Sequence, residues 1–263
     1  MRVRSVRRWS CSRSPASMAV SGVCSTDGAY GRGIPTDAPG GYRRHVLTFA
    51  CFDVETTGLD PDGGRVIEVA VVRIQRDGTV VGEWTTLVDA GDTDLGRIDI
   101  HGIKRPWLAE APRFGAIAGD LAHELSGCVP VAHNARFDVG FLRAEWNRSG
   151  LGSLDLDAVD TLQMARQLSY PGRLARLAEA LGVPLVNAHQ ALDDARTLAG
   201  VLVALLDRGG EPLSLPVFGP PPDGPPPSGL VRHRPPPGAP IHWWEDPNHD
   251  WSADKAEQQR LDF

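Results

Sequence analysis

The sequence predicts an α/β domain with a mixed sheet flanked by helices, spanning about residues 45–208 of 263. Three observations carry that reading. Three strand-like stretches follow one another with only turn signals between them. Helical periodicity then takes over and alternates with short apolar segments. No apolar run approaches the length of a membrane span. Strands first and alternation afterwards describe an antiparallel three-strand meander continued by helices and short strands.

LTFACFDV at 47–54 is almost wholly apolar, as a strand covered on both faces requires. VIEVAVVRIQ at 66–75 and TVVGEWTTLV at 79–88 are rich in β-branched residues. Asp60-Pro61-Asp62-Gly63-Gly64 and Arg76-Asp77-Gly78 supply the turns between the three. Helices are expected at 112–126 and 136–149, on either side of a short strand VPVA at 129–132. A further strand is expected at 156–160, and helices at 161–168, 173–182 and 190–206.

Composition bounds the rest. The net charge of −6 argues against a protein that grips nucleic acid by bulk charge alone. Cysteines fall at 11, 24, 51 and 128 with no C-x-x-C, so free thiols in a reducing, cytoplasmic setting are expected rather than a zinc site. Residues 1–44 hold eight Arg against two Asp and read as a disordered basic extension, with Met18 an alternative start. Twelve of the 22 prolines lie in 211–240, so 209–240 reads as a semi-rigid linker without a core of its own. A tail, 241–263, carries Trp243, Trp244 and Trp251.

The chemistry lies in acids. Asp53 and Glu55 are two apart on a strand, so both leave the same face. Two carboxylates there repel each other and lose hydration beside an apolar layer. A divalent cation relieves both problems, and oxygen ligands suit Mg²⁺ or Mn²⁺. A lone D-x-E is more often a pair of solvated acids, so the assignment needs further acids to converge. In VAHNARFDVGFL, Asp138 shares a helix face with Phe141 and Leu142, an unusual place for an acid without a partner; a helix cap is the plainer alternative. In AHQALDDARTLAGVL, Asp194 stands on the stripe of Leu198 and Val201, whereas Asp193 stands on the side of Arg196, Thr197 and Gly200. Asp194 is therefore the expected inward ligand, and Asp193 a solvated partner of Arg196. His189 precedes that helix and can lean over the same cleft; near neutrality it is a good general base for water.

D-V-E-T-T-G at 53–58, H-N-A-x-F-D at 133–138 and H-x-A-x-x-D at 189–194 resemble the three motifs of the histidine branch of the DEDD 3′–5′ exonucleases. The epsilon proofreading subunit of bacterial DNA polymerase III is the best-known member. His101-Gly102-Ile103 and Asp160-Thr161-Leu162 add supporting matches, and the resemblance covers about 47–206. It implies a ribonuclease-H-like fold. It also implies that Asp53, Glu55, Asp138 and Asp194 hold two Mg²⁺ or Mn²⁺ ions while His189 activates the attacking water. Thr56, Thr57 and His101 look like the family's substrate contacts, although loop residues of this kind are often turn formers. The resemblance implies action on DNA 3′ ends in proofreading or repair, with a polymerase as partner. RNA trimming, or a non-catalytic adaptor acting through its tail, are the alternatives. Gln258, Leu261 and Phe263 fit Q-x-x-L-x-F, a pattern for docking on the sliding clamp.

Overall fold

A computed structural model describes residues 47–185 and 187–235. β1 (Thr48–Thr56) pairs antiparallel with β2 (Val66–Gln75), which pairs antiparallel with β3 (Val80–Leu87). β4 (Val129–Ala132) lies parallel to β1 on its other side, and β5 (Val159–Asp160) parallel to β4. The order is β3-β2-β1-β4-β5. The helices are α1 (Ile98–His101), α2 (Arg105–Leu108), α3 (Phe114–Leu125), α4 (Ala135–Arg148), α5 (Thr161–Gln167), α6 (Leu174–Leu181) and α7 (Ala191–Asp207). The ten elements expected from periodicity all occur, with ends shifted by a few residues at most. The four-residue α1 and α2 were not expected, because one turn is too short to show a 3.6-residue period.

Alternation along β1 feeds two cores. Ala50, Phe52 and Val54 pack with Phe114 and Leu121 of α3 and with Phe141, Leu142 and Trp146 of α4. Phe49 and Cys51 pack with Leu177 of α6 and with Leu198, Val201 and Leu202 of α7. Both faces of the central strand are thus covered, which is why its sequence lacks a polar side. Glu145 of α4 is 1% exposed and fixes α4 to the start of β2. It accepts from Arg65 Nε at 2.6 Å and Nη2 at 3.1 Å, and from the Val66 amide at 3.2 Å.

Residues 211–235, within the stretch 209–240 expected as a semi-rigid linker without a core of its own, lie along the domain. Phe218 is 5% exposed within the α3–α4 core. Its amide donates to Cys128 O at 2.9 Å, and its carbonyl accepts from the Gly127 amide at 3.0 Å. Asp120 of α3 accepts from the amides of Ser228 and Gly229 and from the Ser228 hydroxyl. The Arg232 amide donates to Thr86 Oγ1 at 2.8 Å, and its carbonyl accepts from the Leu87 amide at 2.7 Å. Gly119 permits this path, since a Cβ there would collide with the carbonyl oxygens of Pro225 and Pro226. Prolines restrict the unfolded chain, so ordering this strap costs less entropy than its length suggests.

Cys51 and Cys128 are buried free thiols. Among the described residues no helix is long and apolar enough to cross a membrane. The basic extension, the three tail tryptophans and the clamp-like end all lie outside the described residues.

Candidate active site

The site forms where β1 outruns its parallel neighbour. β4 pairs with β1 only from Phe49 to Cys51, so the later residues of β1 have no strand on that side. The first turn of α4 fills the gap: Asp138, 4% exposed, accepts from the Val54 amide at 3.2 Å. Its Oδ1 takes up a strand donor that β4 leaves unpaired. The helix is set there by the turn before it. Asn134 adopts φ 66°, and its amide donates to Asp160 Oδ1 at 2.9 Å. Asp160 also caps α5 through the Leu162 amide, and His133 bonds to Thr161 Oγ1 and Gly172 O. Open-ended parallel strands commonly place ligands at such a point.

Asp53 and Glu55 leave the face of β1 that packs on α7, as the alternation with Phe49 and Cys51 requires. Asp194, in the first turn of α7, accepts from the His189 amide at 2.8 Å. His189 is exposed and holds φ 70°, so its ring is set at the rim rather than in the core. Ligand atoms of Glu55, His189 and Asp194 all lie within 4.8 Å of one another.

Electrostatics show what the cluster lacks. Burial, and then repulsion from Asp138, Glu55, Asp194 and Glu68, push the Asp53 carboxyl well above the usual carboxylate range. Glu55 is pushed up to about 8, chiefly by burial and then by Glu68. Burial raises Asp138 to about 7 against the pull of the Val54 amide. Asp194 is raised by burial against the pull of the His189 amide. Like charges in a half-dry pocket need a countercharge. Four carboxylates supply oxygen donors, the set that Mg²⁺ and Mn²⁺ take, so the residues fit a hard divalent cation.

Two expectations need correction. Asp193 is not solvated: it is 8% exposed, accepting from Arg196 Nη1 at 2.9 Å and Asn187 Nδ2 at 2.9 Å. Its side of α7 is covered because Gly200 sits against Val183 of the segment after α6. His101 does not face a substrate through its ring, being 3% exposed. Its Nδ1 accepts from the Ile103 amide and its Nε2 donates to Leu95 O at 3.0 Å, a neutral tautomer assigned from these partners. Thr56 and Thr57 stand at the mouth. Thr56 Oγ1 donates to Gly58 O at 2.6 Å, and Thr57 Oγ1 accepts from the Arg65 amide at 2.9 Å. Both hydroxyls therefore shape the turn.

The sequence reading missed Glu68 and Arg234. Glu68 pairs in register with Glu55 across β1–β2 and is 4% exposed. An acid inside the apolar run VIEVAVV was the available signal. Arg234 reaches it from the strap, and nothing in a proline-rich stretch pointed there.

The exonuclease family profile matches residues 50–202. This chain belongs to the exonuclease family. It is 37% identical over 169 residues to the DNA polymerase III subunit epsilon of Treponema pallidum, covering 61% of this chain and 77% of that one. It is 36% identical over 167 residues to a PolC-type DNA polymerase III of Thermotoga petrophila, but spans only 12% of that protein. Among solved structures, the nuclease domain of 3′hExo, described as a DEDDh family member bound to rAMP, aligns with a TM-score of 0.58 at 18% identity. That alignment covers 65% of this chain and 98% of the other. E. coli exonuclease I in complex with a dT13 oligonucleotide aligns at 0.52 and 22% identity, over 62% of this chain and 41% of the other. These two likenesses are of fold: the mixed five-stranded sheet under helices is that of the ribonuclease-H-like exonucleases. The chain is a 3′–5′ exonuclease by family.

Proposed function

We propose that this exonuclease uses two divalent cations to release nucleoside monophosphates from single-stranded or frayed DNA 3′ ends, in replication proofreading or repair. The supporting observation is the meeting of Asp53, Glu55, Asp138 and Asp194 at the open end of β1, with the His189 ring at their rim. In this reading the four carboxylates hold Mg²⁺ or Mn²⁺. Bound there, such ions supply Lewis acidity and offset charge on the phosphate.

The chain's own groups do the rest. The His189 ring takes the proton of the attacking water at a ring nitrogen, since its main chain is pinned by the Asp194 carboxylate and its ring is left free to solvent. The water oxygen bonds to phosphorus as the bond from phosphorus to the 3′ oxygen breaks, and that oxygen takes a proton from solvent to become the new 3′ hydroxyl. A cleft of about 550 Å³ lies beside the first turns of α4, lined by Leu59, Pro61, Asn134, Arg136, Phe137 and Arg143 among others. None of the five site residues lines it, so in this reading its two arginines serve the backbone of the approaching strand rather than the terminal nucleotide. Thr57, whose hydroxyl accepts from Arg65 and keeps a proton to donate, remains a substrate contact in this reading.

The relative of 37% identity is a polymerase subunit, which supports a polymerase as partner for this chain. The Gln258–Phe263 end adds the sliding clamp; deleting the last six residues abolishes retention on an immobilised clamp if that docking is real. The test of substrate is digestion of end-labelled single-stranded DNA and RNA with Mg²⁺ or Mn²⁺. Mononucleotides from DNA support the proposal, release from RNA alone moves the enzyme to RNA trimming, and release from neither leaves an adaptor.

A further inference from the structure

The strap that crosses α3 and β3 ends on the acidic site, and what it delivers there is a guanidinium. Arg234 Nε donates to Glu68 Oε1 at 2.7 Å and Nη2 donates to Glu68 Oε2 at 2.7 Å. Nη1 donates to His101 O at 2.6 Å, and Nη2 also reaches His189 O at 3.3 Å. Glu68 Oε2 accepts in addition from the Ala191 amide at the start of α7, at 2.9 Å. One side chain therefore touches β2, the last residue of α1 and the loop that carries His189.

We propose that residues 211–235 are a working part of the nuclease site, and that Arg234 is a positioning residue which keeps Glu68 out of the cation ligand set and fastens the His189 loop to the sheet. The proposal rests on the exonuclease reading above and deepens it.

Three observations carry it. First, Glu68 stands directly across from Glu55, so a free Glu68 carboxylate would compete for the same cation. The bidentate fork engages both of its oxygens, a geometry that arginine supplies and lysine does not. Second, five carboxylates (Asp53, Glu55, Glu68, Asp138 and Asp194) less the one guanidinium leave a formal −4, the charge that two divalent cations neutralise. Without Arg234 the site is over-charged by one. Third, the arrival of Arg234 is fixed along the strap. Phe218 is buried, Asp120 caps Ser228 and Gly229, and Arg232 is bonded to both Thr86 and Leu87. The Arg232 guanidinium also pairs with Glu110 at 3.1 Å. The Arg234 side chain ends 14% exposed against a Glu68 side chain that is 5% exposed, a buried pair whose broken half is left uncompensated.

The test uses the full chain with Arg234→Ala and Arg234→Lys. Mn²⁺ binding is measured by calorimetry, hydrogen exchange at residues 187–191 by mass spectrometry, and kcat and KM on a single-stranded oligodeoxynucleotide. Arg234→Ala is expected to bind Mn²⁺ at least as tightly as wild type, because Glu68 is released as an extra anion. Its kcat is expected to fall by about 10–100-fold, the usual cost of losing a group that orients ligands, with KM little changed. Exchange at 187–191 is expected to rise by about 10-fold as the loop loses its tie. Arg234→Lys should recover part of both. Unchanged exchange, unchanged kcat, or loss of Mn²⁺ binding in Arg234→Ala overturns the proposal. Arg234→Gln replaces the alanine variant should that one fail to fold. A wild-type chain that cleaves no polymer sinks the exonuclease reading, while the exchange and Mn²⁺ measurements still judge the strap.

Discussion

Cation-free protein should lose stability as pH rises from about 5 to 8, and Mg²⁺ or Mn²⁺ should restore it. The perturbation is removal of cation with EDTA at pH 5.5 and at pH 8.5. Glu55 is raised from 4.5 to about 8 and Asp138 from 3.8 to about 7. A carboxyl whose folded pKa lies above its unfolded one contributes stability below the unfolded value and loses it as pH climbs through the folded value. The window is therefore about pH 5 to 8. At about 1.4 kcal/mol per pKa unit, the Glu55 shift alone sets a ceiling of about 5 kcal/mol. Glu55 is half-buried, and water screens it, so about 1–2 kcal/mol is the realised figure. For a domain of this size that is a Tm difference of about 2–8 °C. The assay is thermal unfolding of wild type and Glu55→Gln at both pH values, with and without 5–10 mM cation (about that range saturates a millimolar site). Wild type in EDTA should melt lower at pH 8.5 than at pH 5.5, cation should raise Tm mainly at pH 8.5, and Glu55→Gln should reduce the EDTA difference, with Asp53, Asp138 and Asp194 keeping the remainder. A cation effect equal at both pH values, or an EDTA slope unchanged by Glu55→Gln, refutes the reasoning.

The remaining predictions concern single side chains. His189→Ala should slow turnover by about 10²–10⁴-fold, the range of general acid–base help, with an unchanged Tm; wild-type rates remove it from the mechanism. Glu145→Ala strips the partner from Arg65 and Arg148 and leaves the Val66 amide without its acceptor. Chemical denaturation should register a loss of about 3 kcal/mol, the low end for breaking a buried pair, since Arg65 keeps some access to water. Phe218→Ala should cost about 3 kcal/mol by the cavity it leaves, if the strap is part of the cooperative fold. A loss under about 0.5 kcal/mol, the scale of a neutral surface change, would mean that the strap opens independently.

Much of this was legible in the sequence. Asp53 and Glu55 follow from period two on β1, and Asp138 and Asp194 from their place on apolar helix stripes, because periodicity reports which way a side chain points. It does not report what lies beyond. The polar face of Asp193 on its own helix points to solvent in the sequence, yet the segment after α6 covers that face. The motif offers His101 as a substrate contact, but a buried ring with both nitrogens engaged holds a loop. The strap was least legible. Prolines give no periodicity, and its anchors are hydrogen bonds to Asp120 and Thr86 that only the folded surface brings within reach.

The central claim is tested most directly by following the 3′-end resection of a 5′-labelled single-stranded DNA with Mg²⁺ or Mn²⁺, using wild type, Asp53→Ala and Asp194→Asn. The account predicts a ladder shortening from the 3′ end for wild type, no shortening for either variant, and folded variants whose cation-free Tm equals or exceeds that of wild type because a crowded charge is gone. A variant that shortens the strand at near wild-type rate, or a wild type that leaves it intact, contradicts the account.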